Sequence, residues 1–274
     1  LLTTVMNKFG IEQSWVDTSS IEQVRSAVKP NTKLIFIESP NNPMMSISDI
    51  RAISNLASKN NILVAVDNTF MSPYFQRPLE MGANIVIHST TKYLNGHSDV
   101  IGGAVVTSSK KIGEQLHYIQ MSVGAVPGPF DCWLTQRSIK TLHLRMPRHD
   151  ENGRALAKYL DESQSIEKVY YPGLQTHPHH ELAKRQQIDP YGDYGFGAMI
   201  SIDLGSRSRA NKFVSNLHIF TLAESLGGVE SLICHPAEMT HASLSEDRRS
   251  ELGISDGLLR LSVGVEHIDD IVED

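Results

Sequence analysis

Three short apolar runs, each breaking off into polar residues, constrain this chain more than any other feature. Leu34-Ile35-Phe36-Ile37-Glu38 turns at Ser39-Pro40-Asn41-Asn42-Pro43, Ile62-Leu63-Val64-Ala65-Val66 stops at Asp67-Asn68, and Asn84-Ile85-Val86-Ile87-His88 runs into Ser89-Thr90-Thr91-Lys92. Runs of this length, rich in β-branched residues and bounded by turn formers, read as buried strands. Between the first two, Ile47, Ile50, Ile53 and Leu56 recur at helical spacing behind a capping box of Ser46 and Asp49. After Gly102-Gly103, Ala104-Val105-Val106-Thr107 reads as a fourth strand. Strands alternating with helices imply an α/β fold, a mostly parallel sheet with helices on both faces. Ligands of such sheets bind beyond the carboxyl ends of the strands. Asn42, Asp67, Ser89 and Lys92 all fall just past one.

Those residue types suit one kind of ligand. A lysine supplies an imine to an aldehyde, a carboxylate holds a ring nitrogen protonated, and hydroxyls take a phosphate. Pyridoxal phosphate (PLP) needs all three. Taken singly, each residue has a plainer explanation. Asp67 could cap the following segment, Ser89-Thr90-Thr91 could be ordinary strand-end residues, and Lys92 could be a solvated loop charge. Apolar segments flank Lys92 on both sides, however, and a buried lysine is expensive unless used. Together with Asp67, the functional reading is the better one.

The rest of the chain is less explicit. Arg260 sits in Leu258-Leu259-Arg260-Leu261, where alternation allows an outward arginine and a bidentate grip on a carboxylate is the other option. Glu224, in Leu222-Ala223-Glu224-Ser225-Leu226-Gly227-Gly228, could cap or face solvent. His177, His179 and His180 are expected to form a surface turn; no partners for a metal can be located, and no metal is expected.

Bulk properties fit a soluble enzyme. The 274 residues carry a net charge of −6 with scattered Lys and Arg, which argues against nucleic acid or an anionic membrane as partner. No apolar run approaches a membrane span, and no signal peptide is expected. Cys132 and Cys234 show neither metal nor disulfide spacing and read as reduced thiols in a cytoplasmic setting. Helices are expected over roughly Asp131–Thr141 and Arg148–Glu162. Beyond them, Val169-Tyr170-Tyr171, a half-exposed alternating strand at Gly197–Asp203, and Leu258–Val263 suggest a smaller C-terminal α+β domain. The expected division is 1–142 for the large domain and 143–274 for the small one. Gly192–Gly197 reads as a flexible loop.

Seven segments in order resemble the Cys/Met-metabolism family of PLP enzymes, in its cystathionine γ-lyase and γ-synthase branch. They are Glu38–Pro43, Val66–Phe70, Ser89–Tyr93, Asn95–Asp99, Thr221–Gly228, Met239–Ser243 and Arg260–Gly264. The resemblance covers essentially the whole chain. It implies the aminotransferase-like fold type I, pyridoxal 5′-phosphate as cofactor, and roles for nine residues. Lys92 would form the imine and shuttle protons, Asp67 would pair with the ring nitrogen, and Ser89 and Thr91 would contact the phosphate. Asn42 would bond the cofactor's phenolic oxygen or the substrate. Arg260 would grip the substrate α-carboxylate, supported by Ser225 and Thr240, and Glu224 would lie near the distal amino group of cystathionine. The implied reaction is γ-elimination of L-cystathionine to L-cysteine, 2-oxobutanoate and ammonia. The alternatives are γ-synthesis from an O-acyl-homoserine and, remotely, a non-catalytic subunit. Methionine γ-lysis suits Glu224 less well, and a nicotinamide enzyme lacks its glycine fingerprint. A homotetramer built as a dimer of dimers is implied too. The family's N-terminal arm, phosphate loop and ring-stacking aromatic have no counterpart here, so N-terminal incompleteness is expected.

Overall fold

The structure is a computed structural model describing residues 2–240 and 242–274. Its first half is built on a four-stranded sheet. Strands β1 (Leu34–Glu38), β2 (Leu63–Asp67) and β3 (Ile85–Ser89) run parallel in that order, and β4 (Gly103–Val106) closes the row antiparallel. Register places Glu38 beside Asp67 and Asp67 beside Ile87. Three strands therefore present their carboxyl ends along one edge.

Helix α1 (Ile21–Ala27) precedes β1, and α2 (Ile50–Lys59) makes the crossover from β1 to β2. Ile50, Ile53 and Ala57 of α2 pack with Ile37, Val64 and Val66 of the sheet. Each large apolar side chain buried this way contributes roughly 1.5–3 kcal/mol. The Ser46–Asp49 capping box is corrected: Asp49 is itself the cap, its Oδ1 accepting the Ala52 N–H at 2.8 Å. Ser46 is used one step earlier. Its N–H donates to Asn41 Oδ1 at 2.8 Å and its carbonyl accepts the Asn41 N–H at 3.0 Å, closing the 41–46 turn.

Helices α3 (Ser72–Phe75), α4 (Lys110–Val123), α5 (Pro129–Ile139) and α6 (Leu142–Asp161) follow. Sequence patterning does not announce α4, none of whose 14 residues is buried. Helix α6 starts well before the expected Arg148 and runs through Pro147. A proline in the second turn leaves the His143 carbonyl without its helical donor. Buried Leu142, Arg145 and Met146 hold that turn by tertiary packing, which overrides the local signal.

The second sheet comprises β5 (Lys168–Tyr170), β6 (Met199–Asp203), β7 (Thr221–Leu222), β8 (Leu232–Cys234) and β9 (Leu258–Ser262), in the order β5-β6-β9-β8-β7. Only β7 and β8 pair in parallel. The half-exposed strand expected over Gly197–Asp203 is corrected too, because Met199 to Ile202 are all buried. Ile200 and Ile202 join the core formed with Leu156, Ala157 and Leu160 of α6. On the opposite face Ser201 Oγ donates to the Pro43 carbonyl at 2.6 Å. The centre of this sheet is thus covered by α6 on one side and by the turn after β1 on the other.

The histidine turn is half-buried instead of lying free at the surface. The Ile47 N–H donates to His179 Nδ1 at 3.2 Å, and His180 Nδ1 meets the Pro172 carbonyl at 2.8 Å. Gly192–Gly197 is tied down as well: Phe196 and Gly197 donate backbone N–H groups to Asp150 Oδ1. Among the described residues no helix is long and apolar enough to cross a membrane, and no three His, Cys, Asp or Glu side chains gather as a metal site.

Candidate active site

Lys92 lies in a wide helical turn, Thr90–Leu94, that its own backbone interrupts (φ −93°, ψ −134°). Buried Tyr93 and Leu94 anchor the turn on one side of it. The Lys92 Nζ donates to Ser225 Oγ at 3.0 Å. Partial burial, reinforced by the Arg260 charge and opposed by Glu224, lowers the ammonium pKa below the usual lysine range. That shift favours the free amine, the form able to act as nucleophile or base.

Asp67 closes a local turn and still keeps an oxygen in reserve. Its Oδ1 accepts from the Thr69 N–H at 3.0 Å and from Thr69 Oγ1 at 2.6 Å. Thr69 Oγ1 in turn accepts the Ser89 N–H at 2.9 Å, tying the ends of β2 and β3 together. Oδ2 of Asp67 and the Ser89 hydroxyl make no hydrogen bond among the described residues. Thr91 Oγ1 accepts the Gly102 N–H at 3.0 Å and meets the Gly102 carbonyl at 3.3 Å, so it fastens the turn to the start of β4.

Arg260 is not the outward-facing residue that alternation allows. It pairs with Ser201 in the sheet register, on the strand face turned towards Pro43, and is only 2% exposed. Its Nη1 donates to Asn42 Oδ1 at 3.0 Å, and its Nη2 to the carbonyls of Glu224 at 2.8 Å and Ser225 at 3.3 Å. The Nε–H is buried with no partner, and no carboxylate forms an ion pair with the guanidinium among the described residues. A buried cation so provided is a receptor for an anion.

The loop carrying Glu224 and Ser225 is docked onto the lysine turn. Gly227, at φ +75°, donates its N–H to Ser262 Oγ at 2.8 Å, and a Cβ there would stand 2.8 Å from the Tyr93 nitrogen. Only glycine meets both demands. Thr240 lies with its Oγ1 3.9 Å from Cys234 Sγ, and Cys234 is Arg260's neighbour across β8 and β9. His241, in the Met239–Ser243 segment, falls outside the described residues.

Hydrogen bonds thus join Lys92, Ser225, Arg260 and Asn42 into one network, with Asp67, Thr69 and Ser89 forming a second along the strand ends. Sequence reasoning missed two members. Thr69 is signalled by its place two residues after Asp67, the spacing of an Asx turn. Glu38 is the other: burial, then the neighbouring Asp67 charge, raise its carboxyl to about 7, against the Asn42 N–H and Arg260. The Asn42 N–H donates to its Oε2 at 3.4 Å.

The family model for Cys/Met metabolism PLP-dependent enzymes matches residues 1–274. The chain belongs to that family. Among curated members, a cystathionine gamma-lyase of Bacillus subtilis (strain 168) is 54% identical over all of this chain and 71% of its own length. A cystathionine beta-lyase of Lactococcus lactis subsp. cremoris (strain MG1363) is 50% identical over all of this chain and 70% of its own. A crystal structure of cystathionine gamma-lyase from Lactobacillus plantarum complexed with L-serine superposes with a TM-score of 0.95 at 44% identity, covering all of this chain and 70% of that one. The fold is therefore that of this family, and the protein is a PLP-dependent enzyme. The donor set fits the cofactor: an amine with lowered proton affinity, a carboxylate oxygen and a hydroxyl left without hydrogen bonds, all on one sheet edge.

Proposed function

We propose that this enzyme cleaves the Cγ–S bond of L-cystathionine and, with one water consumed, releases L-cysteine, 2-oxobutanoate and ammonia. The observation that carries the reading is Arg260, a buried guanidinium with an unpartnered Nε–H, linked through the Ser225 residue to the amine of Lys92. An α-amino acid offers a carboxylate to the first and an amine to the cofactor held by the second.

Lys92 would hold the cofactor through its amine and, when that amine is free, would move protons at Cα and then Cβ of the substrate. Ser225 Oγ accepts from Nζ and keeps it aimed. Asp67, through Oδ2, would keep the ring nitrogen protonated, and Ser89 and Thr91 would take the phosphate. When bound, the cofactor serves as an electron sink for the carbon attached to it. Asn42, which accepts from Arg260, would meet the phenolic oxygen; Arg260 would grip the α-carboxylate, and Thr240 would support that pocket. Glu224, exposed and close enough to influence both Lys92 and Arg260, faces the distal ammonium of cystathionine. The division at 142/143, a homotetramer of paired dimers and a cytoplasmic setting belong to the same reading.

The Lactococcus relative's name makes β-elimination the specific competitor. The deciding experiment supplies L-cystathionine and identifies the keto acid. A four-carbon 2-oxobutanoate with cysteine supports the proposal; pyruvate with homocysteine assigns β-lysis. Turnover only with an O-acyl-homoserine plus cysteine assigns γ-synthesis, and no turnover of any of them sinks the cystathionine reading.

A further inference from the structure

Behind the lysine turn lies a second buried arginine that the reaction scheme does not use. Arg145, on α6, is 7% exposed and forms no ion pair among the described residues. Every nitrogen of its guanidinium is instead directed at a neutral oxygen. Nη1 donates to the Tyr93 carbonyl at 2.7 Å, Nη2 to the carbonyls of Leu94 at 3.3 Å and Ser138 at 3.2 Å, and Nε to Thr141 Oγ1 at 3.0 Å.

The carbonyls of Tyr93 and Leu94 are significant. The last carbonyls of a helical turn have no donor within it and carry its negative dipole end. In the Thr90–Leu94 turn, the carbonyl of Thr90 accepts from Asn95 and that of Lys92 from Gly96. Among the described residues the carbonyls of Tyr93 and Leu94 have no backbone donor, and Arg145 supplies both. Gly96 makes the approach possible: a Cβ at this position would overlap the guanidinium, and its φ of +74° suits glycine. The Gly96 carbonyl then accepts the Val229 N–H at 2.9 Å, joining the same turn to the loop that bears Ser225.

We propose that Arg145 is a positioning residue for Lys92, capping the lysine turn from the side away from the substrate so that Nζ stays on Ser225. It acts through backbone and touches neither substrate nor cofactor. The inference rests on Lys92 being the reactive amine.

The test compares the full chain with R145K and R145M. In the cofactor-free protein, Lys92 and exposed Lys33 are acetylated competitively over a pH series and quantified by mass spectrometry. Loss of the cap should move the Lys92 labelling midpoint up, with labelling of Lys33 as the internal reference. With cofactor added, kcat should fall by about 10²-fold while KM, set by Arg260, stays within threefold. R145K keeps the charge but only part of the fork and should fall between the two. An unchanged labelling midpoint and kcat in folded R145M overturn the proposal. If R145M does not fold, the same readouts on R145K decide it. Failure of the parent to bind cofactor would count against the proposed function alone, because the labelling comparison would still judge Arg145.

Discussion

The two sheets contribute to the site in opposite ways. The first sheet places its chemistry beyond the strands: Asp67, Ser89 and Lys92 sit where the backbone leaves the ladder, half-buried, with neighbours such as Thr69 to order them. The second places Arg260 in the middle of a strand, buried on both sides and set by cross-strand neighbours. A strand-end residue can adjust to its ligand with the loop that holds it. A mid-strand residue cannot, so its direction is fixed by register alone. Orientation of a substrate is better entrusted to the second kind, and proton traffic to the first.

The largest effect that would test this contrast is at Arg260. If Arg260 receives the substrate carboxylate as proposed, R260M removes that receptor and leaves Asn42 and the Glu224 carbonyl without their donor. A buried charge-assisted pair is worth about 1.5–3 kcal/mol, so KM for cystathionine should rise by about 10- to 150-fold. R260K should recover little, because an ammonium lacks the planar fork. Steady-state kinetics check this. Equal losses on R260M and on a strand-end substitution such as S89A would break the distinction between the sheets.

A second effect probes the first sheet from within. Glu38 ends β1 beside Asp67, and its folded pKa of about 7 exceeds the unfolded 4.5. A raised carboxyl pKa means stability fully present below pH 4.5 and lost as pH rises to about 7. At ~1.4 kcal/mol per pH unit the loss is roughly 3 kcal/mol. His149 and His177, lowered to about 4 by burial, act in the other direction, losing stability as pH falls from 6.5. Denaturant melts of parent and E38Q at pH 5 and pH 7.5 isolate the Glu38 part as a difference. The parent should lose stability relative to E38Q across that interval; parallel curves would show that Glu38 ionises freely.

How much of this was legible follows the same division. Asp67, Ser89 and Lys92 announce themselves because an apolar run ends just before each. Arg260 did not, since Leu-Leu-Arg-Leu reads equally as one wet face, and only the Pro43 turn lying over Ser201 shows that there is none. Arg145 has no signal at all: the proline two residues on argues against a helix, and the two lysine-turn carbonyls it caps lie 51 and 52 residues away in the chain. Local pattern reveals strand ends; it is silent on what tertiary contact decides.

The smallest effect concerns the helix beneath the first sheet, where sequence and structure name different caps. If Asp49 caps α2, D49A removes the acceptor of the Ala52 N–H and should lower stability by about 1 kcal/mol. S46A should cost under about 0.5 kcal/mol, because the turn uses Ser46 through its backbone N–H and carbonyl, which alanine retains. The helix itself should survive either change, since Ile50 and Ile53 remain buried and the Ile50 N–H stays bonded to Gln186 Oε1 at 3.0 Å. Denaturant midpoints with unchanged slopes would report the two losses directly. A larger loss in S46A would return the cap to Ser46. It would also shift the start of the helix that packs behind Asp67's strand, so the outcome bears on how firmly the edge carrying the chemistry is held.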